Sequence, residues 1–173
     1  MKIESPAFTM DDVDAFMRAY RDHDRKVLAD RLQRISDRLA ELGPRVKAQQ
    51  GDGDDWNAHE LLAHIAVVSK FYGVLVHRIA GGKMTDFNLL EAVNMRDAAG
   101  QQMAQTAPAE LLAQSMADHG RTIDTLRDAD PDSLQRAARI DGGTTMTAEE
   151  VARLPLITHL EMHVDELEKM LGR

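Results

Sequence analysis

The sequence predicts an all-α protein, a four-helix bundle formed by residues 1–173 as a single domain. Apolar residues recur in steps of three and four along four long segments, which is the spacing of amphipathic helices. Each segment begins and ends at residues that cap or interrupt helices. A chain of 173 residues is long enough to bury one substantial core. Together these observations favour a bundle with a long connection between its second and third helices.

The first helical segment follows Thr9 and is ended by Gly43 and Pro44, because glycine caps a helix and proline cannot continue it. Asp24 interrupts its apolar face. The segment is therefore either one long helix with a kink or two helices in tandem. Its apolar series is Val13, Phe16, Met17, Tyr20, Val27, Leu28, Leu32, Ile35, Leu39 and Leu42.

The second helix has the clearest start in the chain. Asn57 is a good N-cap and Glu60 stands three residues later, which is the arrangement of a capping box. Trp56 precedes the cap and is expected to pack on Leu61 as a hydrophobic staple. The apolar spacing predicts a helix that ends near Ala80.

The connection to the third helix is long, and its apolar residues predict a short extra helix around Phe87, Leu90, Val93 and Met95. The third helix is predicted to begin near Pro108. After it, the Asp141–Gly142–Gly143 stretch predicts a small hairpin.

The last helix is predicted in two pieces. Thr147 and Glu150 form a second capping-box pattern, which predicts a short helix over "AEEVAR". Proline costs about 3 kcal/mol inside a helix but is tolerated in a first turn. We therefore expect the final helix to open near Pro155.

Composition narrows the function classes. The net charge is −8 and no stripe of Lys and Arg is present, which argues against a nucleic-acid partner. No run of 18 apolar residues and no signal peptide are visible, so we expect a cytoplasmic protein that does not enter a membrane. A small-molecule substrate is the expected partner, and such a bundle can form a homodimer. Because the chain has no cysteine, a metal site would use His, Asp or Glu.

The stretch "HELLAH" is one residue away from a helical zinc-protease motif. In that motif the two histidines stand four residues apart, about 40° around the helix. His59 and His64 are five apart, about 140° around it, so one helix cannot bring both to one ion. His64 flanks the apolar seam, whereas His59 is expected to meet solvent.

The last helix carries a second histidine pattern. His159 and His163 are four residues apart and border the apolar side of the helix. With His64 from another helix, they can form a set of three imidazoles that leaves open positions on a metal. The alternative remains that all three are hydrogen-bonded core residues of a non-catalytic bundle.

At these residues the chain resembles the DinB/YfiT-like superfamily, in its branch related to mycothiol-dependent maleylpyruvate isomerases. The stretch "WNAHELLAHIA" resembles the opening of that superfamily's second helix, and "THLEMH" its pair of ligands on the last helix. The resemblance covers most of residues 22–171. It implies a bundle of up-down-down-up topology. It also implies a divalent metal, zinc or nickel most often, held by His64, His159 and His163.

The resemblance further implies a transferase or isomerase that uses a low-molecular-weight thiol such as mycothiol. A bound hydroxide would instead suit a metal-dependent hydrolase, and a non-catalytic metal-binding or helical-bundle binding module is the remaining alternative. The catalytic residues are not identified by the sequence. Among the weaker polar candidates, we expect Glu60 to cap its helix. Glu166 either supports the neighbouring ligand or is solvated, and His119 is either a pocket base or a core residue; the sequence favours the second role for each. Asn94 is a candidate for the pocket lining.

Overall fold

A computed structural model of the chain confirms the all-α bundle. It describes residues 9–50, 56–88, 91, 93–94, 100 and 102–172. The helices are α1 (Met10–Leu42), α2 (Ala58–Ala80), α3 (Pro108–Asp128), α4 (Ala148–Val151) and α5 (His159–Met170). A π-helical segment, Ala152–Thr158, joins α4 to α5. Short 3₁₀ turns lie at Gly43–Arg45 and Ser133–Gln135.

Three strands form a small sheet beside the helices: β1 (Asp86–Phe87), β2 (Ala137–Ile140) and β3 (Thr145–Thr147). The predicted hairpin is confirmed, because β2 and β3 pair antiparallel around Asp141 and Gly142. Both of these residues have positive φ, 49° and 73°, as the centre of a type I′ turn requires, and the N–H of Gly143 donates to the carbonyl of Ile140 at 2.9 Å. The parallel pairing of β1 with β2 had no counterpart in the sequence prediction.

Ion pairs fix the direction of the first and last helices. Arg31 of α1 pairs with Glu161 of α5 at 2.6 Å, and one heptad later Arg38 pairs with Glu168 at 2.7 Å. Residue numbers rise together along both helices, so α1 and α5 run parallel.

The two central helices also run parallel to each other. Ser69 of α2 contacts His119 of α3, and four residues on Gly73 meets Thr122. By contrast, α3 runs antiparallel to α1. Arg25 in the middle of α1 donates to the carbonyl of Leu126 near the end of α3 at 2.9 Å, and Ser36, later in α1, contacts Met116, earlier in α3. The topology is therefore up-down-down-up, as the resemblance implied.

The two predicted capping boxes, at Asn57 and Thr147, are confirmed in atomic detail. The side chain of Asn57 accepts hydrogen bonds from the backbone N–H groups of His59 and Glu60, and the Glu60 carboxylate accepts from the N–H of Asn57 at 3.0 Å. The same reciprocal box forms at Thr147 with Glu150. Each box satisfies N–H groups that have no partner inside the helix.

The first segment is one helix of 33 residues, so the tandem alternative is wrong. Asp24, which interrupts the apolar series, pairs with Arg153 at 2.8 Å. The N-terminal third of α1 leaves its apolar residues exposed: Phe16 is 68% and Tyr20 53% accessible. Only the later part of the apolar series, from Leu28 to Leu42, lies in the core.

Pro155 does not open the last helix, contrary to the sequence prediction. It lies inside the π-helical segment, and the helical path continues through it from α4 to α5. A π-helical turn contains an extra residue, which makes room for the ring and tolerates the missing N–H. The hydroxyl of Thr158 donates to the Arg153 carbonyl at 2.9 Å, so that carbonyl has a partner at the widened turn.

The short helix predicted in the second connection falls mostly outside the described residues, which include helical positions at Glu91, Val93 and Asn94. Among the described residues, α2 is the one helix long and apolar enough to cross a membrane by length and composition. Of its most apolar window, 67% is buried inside the bundle. Core packing therefore accounts for its apolar character.

Candidate metal centre

The three histidines singled out in the sequence come together between α2 and α5. His64 lies in the second turn of α2, and His159 and His163 occupy the first and second turns of α5. Each side chain is partly buried. The capping box at Asn57 sets where α2 begins and so sets the face that His64 presents to α5.

The distances within this three-histidine cluster suit a metal ion. One ring nitrogen from each residue can be chosen so that all three lie within 4.8 Å of one another. The ring centroids of His64 and His163 are 4.7 Å apart, and those of His159 and His163 are 4.6 Å apart. Tetrahedral zinc with bonds of about 2.1 Å would place its nitrogens roughly 3.4 Å apart. Movements of the ring nitrogens by about 1 Å would bring them to the spacing that zinc requires.

Glu166 orients His163 for metal binding. Its Nδ1 lies 3.1 Å from the Glu166 carboxylate, which can only accept, so Nδ1 carries the proton. Its Nε2 then presents a lone pair, and this buried atom has no hydrogen-bond partner among the described residues. A carboxylate on the far nitrogen orients a ligating imidazole and makes it more basic. Glu166 is therefore not the purely solvated residue that the sequence suggested.

Aromatic rings enclose the cluster on two sides. The ring of Trp56 lies 4.5 Å from that of His64 and 6.0 Å from that of His163. Tyr72 lies 6.5 Å from His159 on the other side. Trp56 was expected only to staple the helix start on Leu61. Its position at the helix entrance was visible in the sequence, but its contact with the histidines depends on α5 and was not.

His59 does not meet solvent, contrary to the sequence prediction, since it is only 5% exposed. Its Nε2 lies 2.8 Å from the carbonyl oxygen of Thr106 and must donate to it, while Nδ1 lies 3.0 Å from the carbonyl oxygen and 3.2 Å from the backbone nitrogen of Gln49. His59 thus joins the loop before α2 to the segment before α3. This role is structural and separate from the cluster.

His119 is a core residue, as the sequence favoured. It is 1% exposed, and burial lowers its pKa to about 4. The hydroxyl of Ser69 donates to the Ile65 carbonyl at 2.7 Å, so it accepts from Nε2 of His119 at 2.8 Å. With its hydroxyl proton engaged and its side chain buried, Ser69 is not arranged as a nucleophile.

The remaining polar candidates stay outside the cluster. Glu60 completes the capping box, which accounts for it. Asn94 is exposed, although its neighbour Val93 lines the cavity beside His159. His64, His159 and His163 form the one group of three or more potential metal ligands that the described residues bring together.

Comparison with known proteins agrees with this geometry. The family model of the DinB superfamily matches residues 22–167, a range that includes all three histidines. No curated protein and no solved structure matches the chain. Because the family match covers most of the sequence, the chain belongs to the DinB superfamily.

Proposed function

We propose that the protein is a metal-dependent enzyme that uses an external low-molecular-weight thiol, such as mycothiol, to transfer or isomerise small-molecule substrates. In this proposal His64, His159 and His163 hold a divalent ion, zinc or nickel. The observation that carries the proposal is the convergence of three imidazoles from two helices within 4.8 Å. Membership of the DinB superfamily supports the same site.

The donor set fits a catalytic rather than a purely structural ion, because three protein ligands leave a position open. When bound by three neutral imidazoles, the ion supplies a Lewis-acid centre that lowers the pKa of a thiol or water. The residues around the cluster orient one imidazole and pack against another. Glu166 holds the proton on Nδ1 of His163, and the ring of Trp56 packs at a tilt against that of His64. Since the chain has no cysteine, the thiol has to come from outside.

Metal analysis of protein purified without a histidine tag tests the site. We expect about one divalent ion per chain, lost when His64, His159 or His163 is replaced by Ala. His77→Ala is the matched control, because His77 is exposed on the same helix as His64. Wild-type protein that contains no metal and takes up neither zinc nor nickel would refute the metal site.

Glu166→Gln tests the orientation of His163. The amide keeps the size of the side chain but removes the charge, and loss of such a partner typically weakens metal affinity about 10- to 100-fold. Metal titration against a competing chelator measures the change. An affinity equal to that of the wild type would remove Glu166 from the proposed site while leaving the three ligands in place.

A conjugation screen tests the chemistry. The metal-loaded protein is incubated with mycothiol or bacillithiol and a set of electrophiles, including cis-alkenes. Loss of free thiol reports transfer, and a change in the absorbance of the alkene reports isomerisation, which returns the thiol. We expect turnover that requires both metal and thiol. Turnover of esters or amides without thiol would instead indicate the hydrolase, and bound metal without any turnover would indicate a binding module.

The proposed partner is a small molecule, and the proposed location is the cytoplasm. A net charge of −8 makes tight binding to nucleic acid unfavourable. We also propose a homodimer formed through α1. Its exposed apolar stripe includes Val13, Phe16, Met17 and Tyr20, and two such stripes would cover on the order of 1,000 Å², which approaches the size of a specific interface.

A further inference from the structure

A cavity of about 510 Å³ lies beside the three-histidine cluster. Its walls come from α2, β1, β3 and the π-helical segment with α5, through residues such as Leu75, Phe87, Met146 and Leu154. His159 belongs both to this wall and to the cluster. A molecule in the cavity would therefore lie against one of the proposed metal ligands.

The lining of the cavity carries no acidic and no basic side chain among the residues described. Its polar members are Tyr72, Thr158 and His159. The hydroxyl of Thr158 already donates to the Arg153 carbonyl at 2.9 Å and accepts from Arg31 at 3.3 Å. Few polar contacts remain for a ligand away from His159.

The arginines next to the cavity are also engaged. Arg153 precedes the lining residue Leu154 but pairs with Asp24 and Glu149, each at 2.8 Å. Arg31 pairs with Glu161 at 2.6 Å. Away from His159, an anionic group in the cavity would lose its hydration without gaining a cationic partner from these side chains, which is strongly unfavourable.

Two large apolar side chains stand exposed where the cavity opens. Leu154 is 58% and Met162 63% accessible, and both line the cavity. Exposed apolar residues around a concave, apolar site are a common feature of ligand pockets. The π-helical segment forms this part of the wall, since Leu154, Pro155 and Thr158 all belong to it.

We infer that this cavity is the substrate pocket and that it selects an uncharged, apolar molecule, or the apolar end of one, placed against His159. As a statement about the substrate, the inference rests on the proposed metal-dependent function. It makes a dicarboxylate such as maleylpyruvate a poor fit, because an ion at the cluster could neutralise one carboxylate but the described lining residues offer no cationic partner for the second.

Two fluorescent probes that share one skeleton test the selectivity. N-phenyl-1-naphthylamine is uncharged, and 8-anilinonaphthalene-1-sulfonate adds a sulfonate to the same rings. Both brighten in apolar surroundings. We expect the wild-type protein to bind the uncharged probe at least about tenfold more tightly, with and without a chelator. Equal or tighter binding of the sulfonate would overturn the inference.

Substitutions at Met162 locate the binding. Met162→Glu places a charge at the opening of the cavity without burying it. This variant should bind the uncharged probe about tenfold more weakly. Met170→Glu is the matched control on the same helix, since Met170 is also exposed, at 42%, and like Met162 lies four residues from Glu166. Met162→Lys should strengthen binding of the sulfonate. Equal effects of the two glutamate variants would overturn the placement.

Two further measurements keep the outcomes distinct. If Phe16→Glu abolishes the signal, the probe binds the exposed stripe of α1, and the inference is wrong. Metal content is measured on the same samples. Selective probe binding by a protein that takes up neither zinc nor nickel would support the pocket and refute the proposed enzyme, whereas metal uptake without selective probe binding would support the metal site and refute the pocket.

Discussion

Lowering the pH from 7 to 5 should destabilise the protein through one buried residue, His119. Its side chain is 1% exposed, and burial lowers its pKa from an ordinary value of 6.5 to about 4 in the folded protein. Between these two values the unfolded chain binds a proton that the folded chain does not. The contribution of this residue to stability is therefore complete above about pH 6.5 and falls as the pH drops toward 4.

The expected loss follows from the width of that interval. Each pH unit between the two pKa values changes the free energy of unfolding by about 1.4 kcal/mol, so the full difference between them represents about 3 kcal/mol. By pH 5 about 2 kcal/mol of it should be lost. Small domains are stable by only about 5–15 kcal/mol, so a change of this size is easily measured.

The comparison that isolates His119 uses the variant His119→Gln. A glutamine amide can still donate to the hydroxyl of Ser69 but does not titrate. Urea unfolding followed by circular dichroism gives the free energy of unfolding of both proteins at pH 7, 6 and 5, with a chelator present throughout. The wild type should lose about 2 kcal/mol more than the variant. Parallel pH dependence in the two proteins would refute the reasoning.

Three further substitutions test other parts of the structure. Asn57→Ala removes the acceptor at the start of α2 and should lower the free energy of unfolding by about 1 kcal/mol in urea titrations; no change would contradict the capping role. Gly73→Ala would place a Cβ 2.6 Å from Oγ1 of Thr122 and should cost about 1–2 kcal/mol, whereas Gly120→Ala has nothing within 4 Å and should be neutral or stabilising. Phe16→Glu should convert the proposed dimer to a monomer in sedimentation experiments, and a monomeric wild type would contradict that proposal.

The parts of the fold that were predicted correctly depend on local chemistry. Helix starts at Asn57 and Thr147 follow from a cap and an acidic residue three positions later, all within one turn. The turn at Asp141–Gly142 likewise needs only residues that tolerate positive φ. The faces of His64 and His163 followed from helix periodicity, because both border apolar residues of their own helices.

The errors arose where a distant part of the chain decides the outcome. His59 lies on the polar side of its own helix, yet Gln49 and Thr106 bury it through hydrogen bonds to both ring nitrogens. The apolar series of α1 gives the helix correctly but does not reveal how far the other helices extend. The apolar residues from Val13 to Tyr20 have the same spacing as the buried part of α1, yet they are exposed.

The π-helical segment links the fold to the proposed site. An extra residue in a helical turn rotates everything after it by about 100° relative to an uninterrupted α-helix. Counting from the cap at Thr147 with regular α-helical spacing would therefore misplace His159 and His163 around the axis. Pro155 lies inside this segment and also in the wall of the cavity. The irregular turn thus has two consequences, because it directs the histidine pair toward His64 and forms the apolar surface on which a substrate would rest.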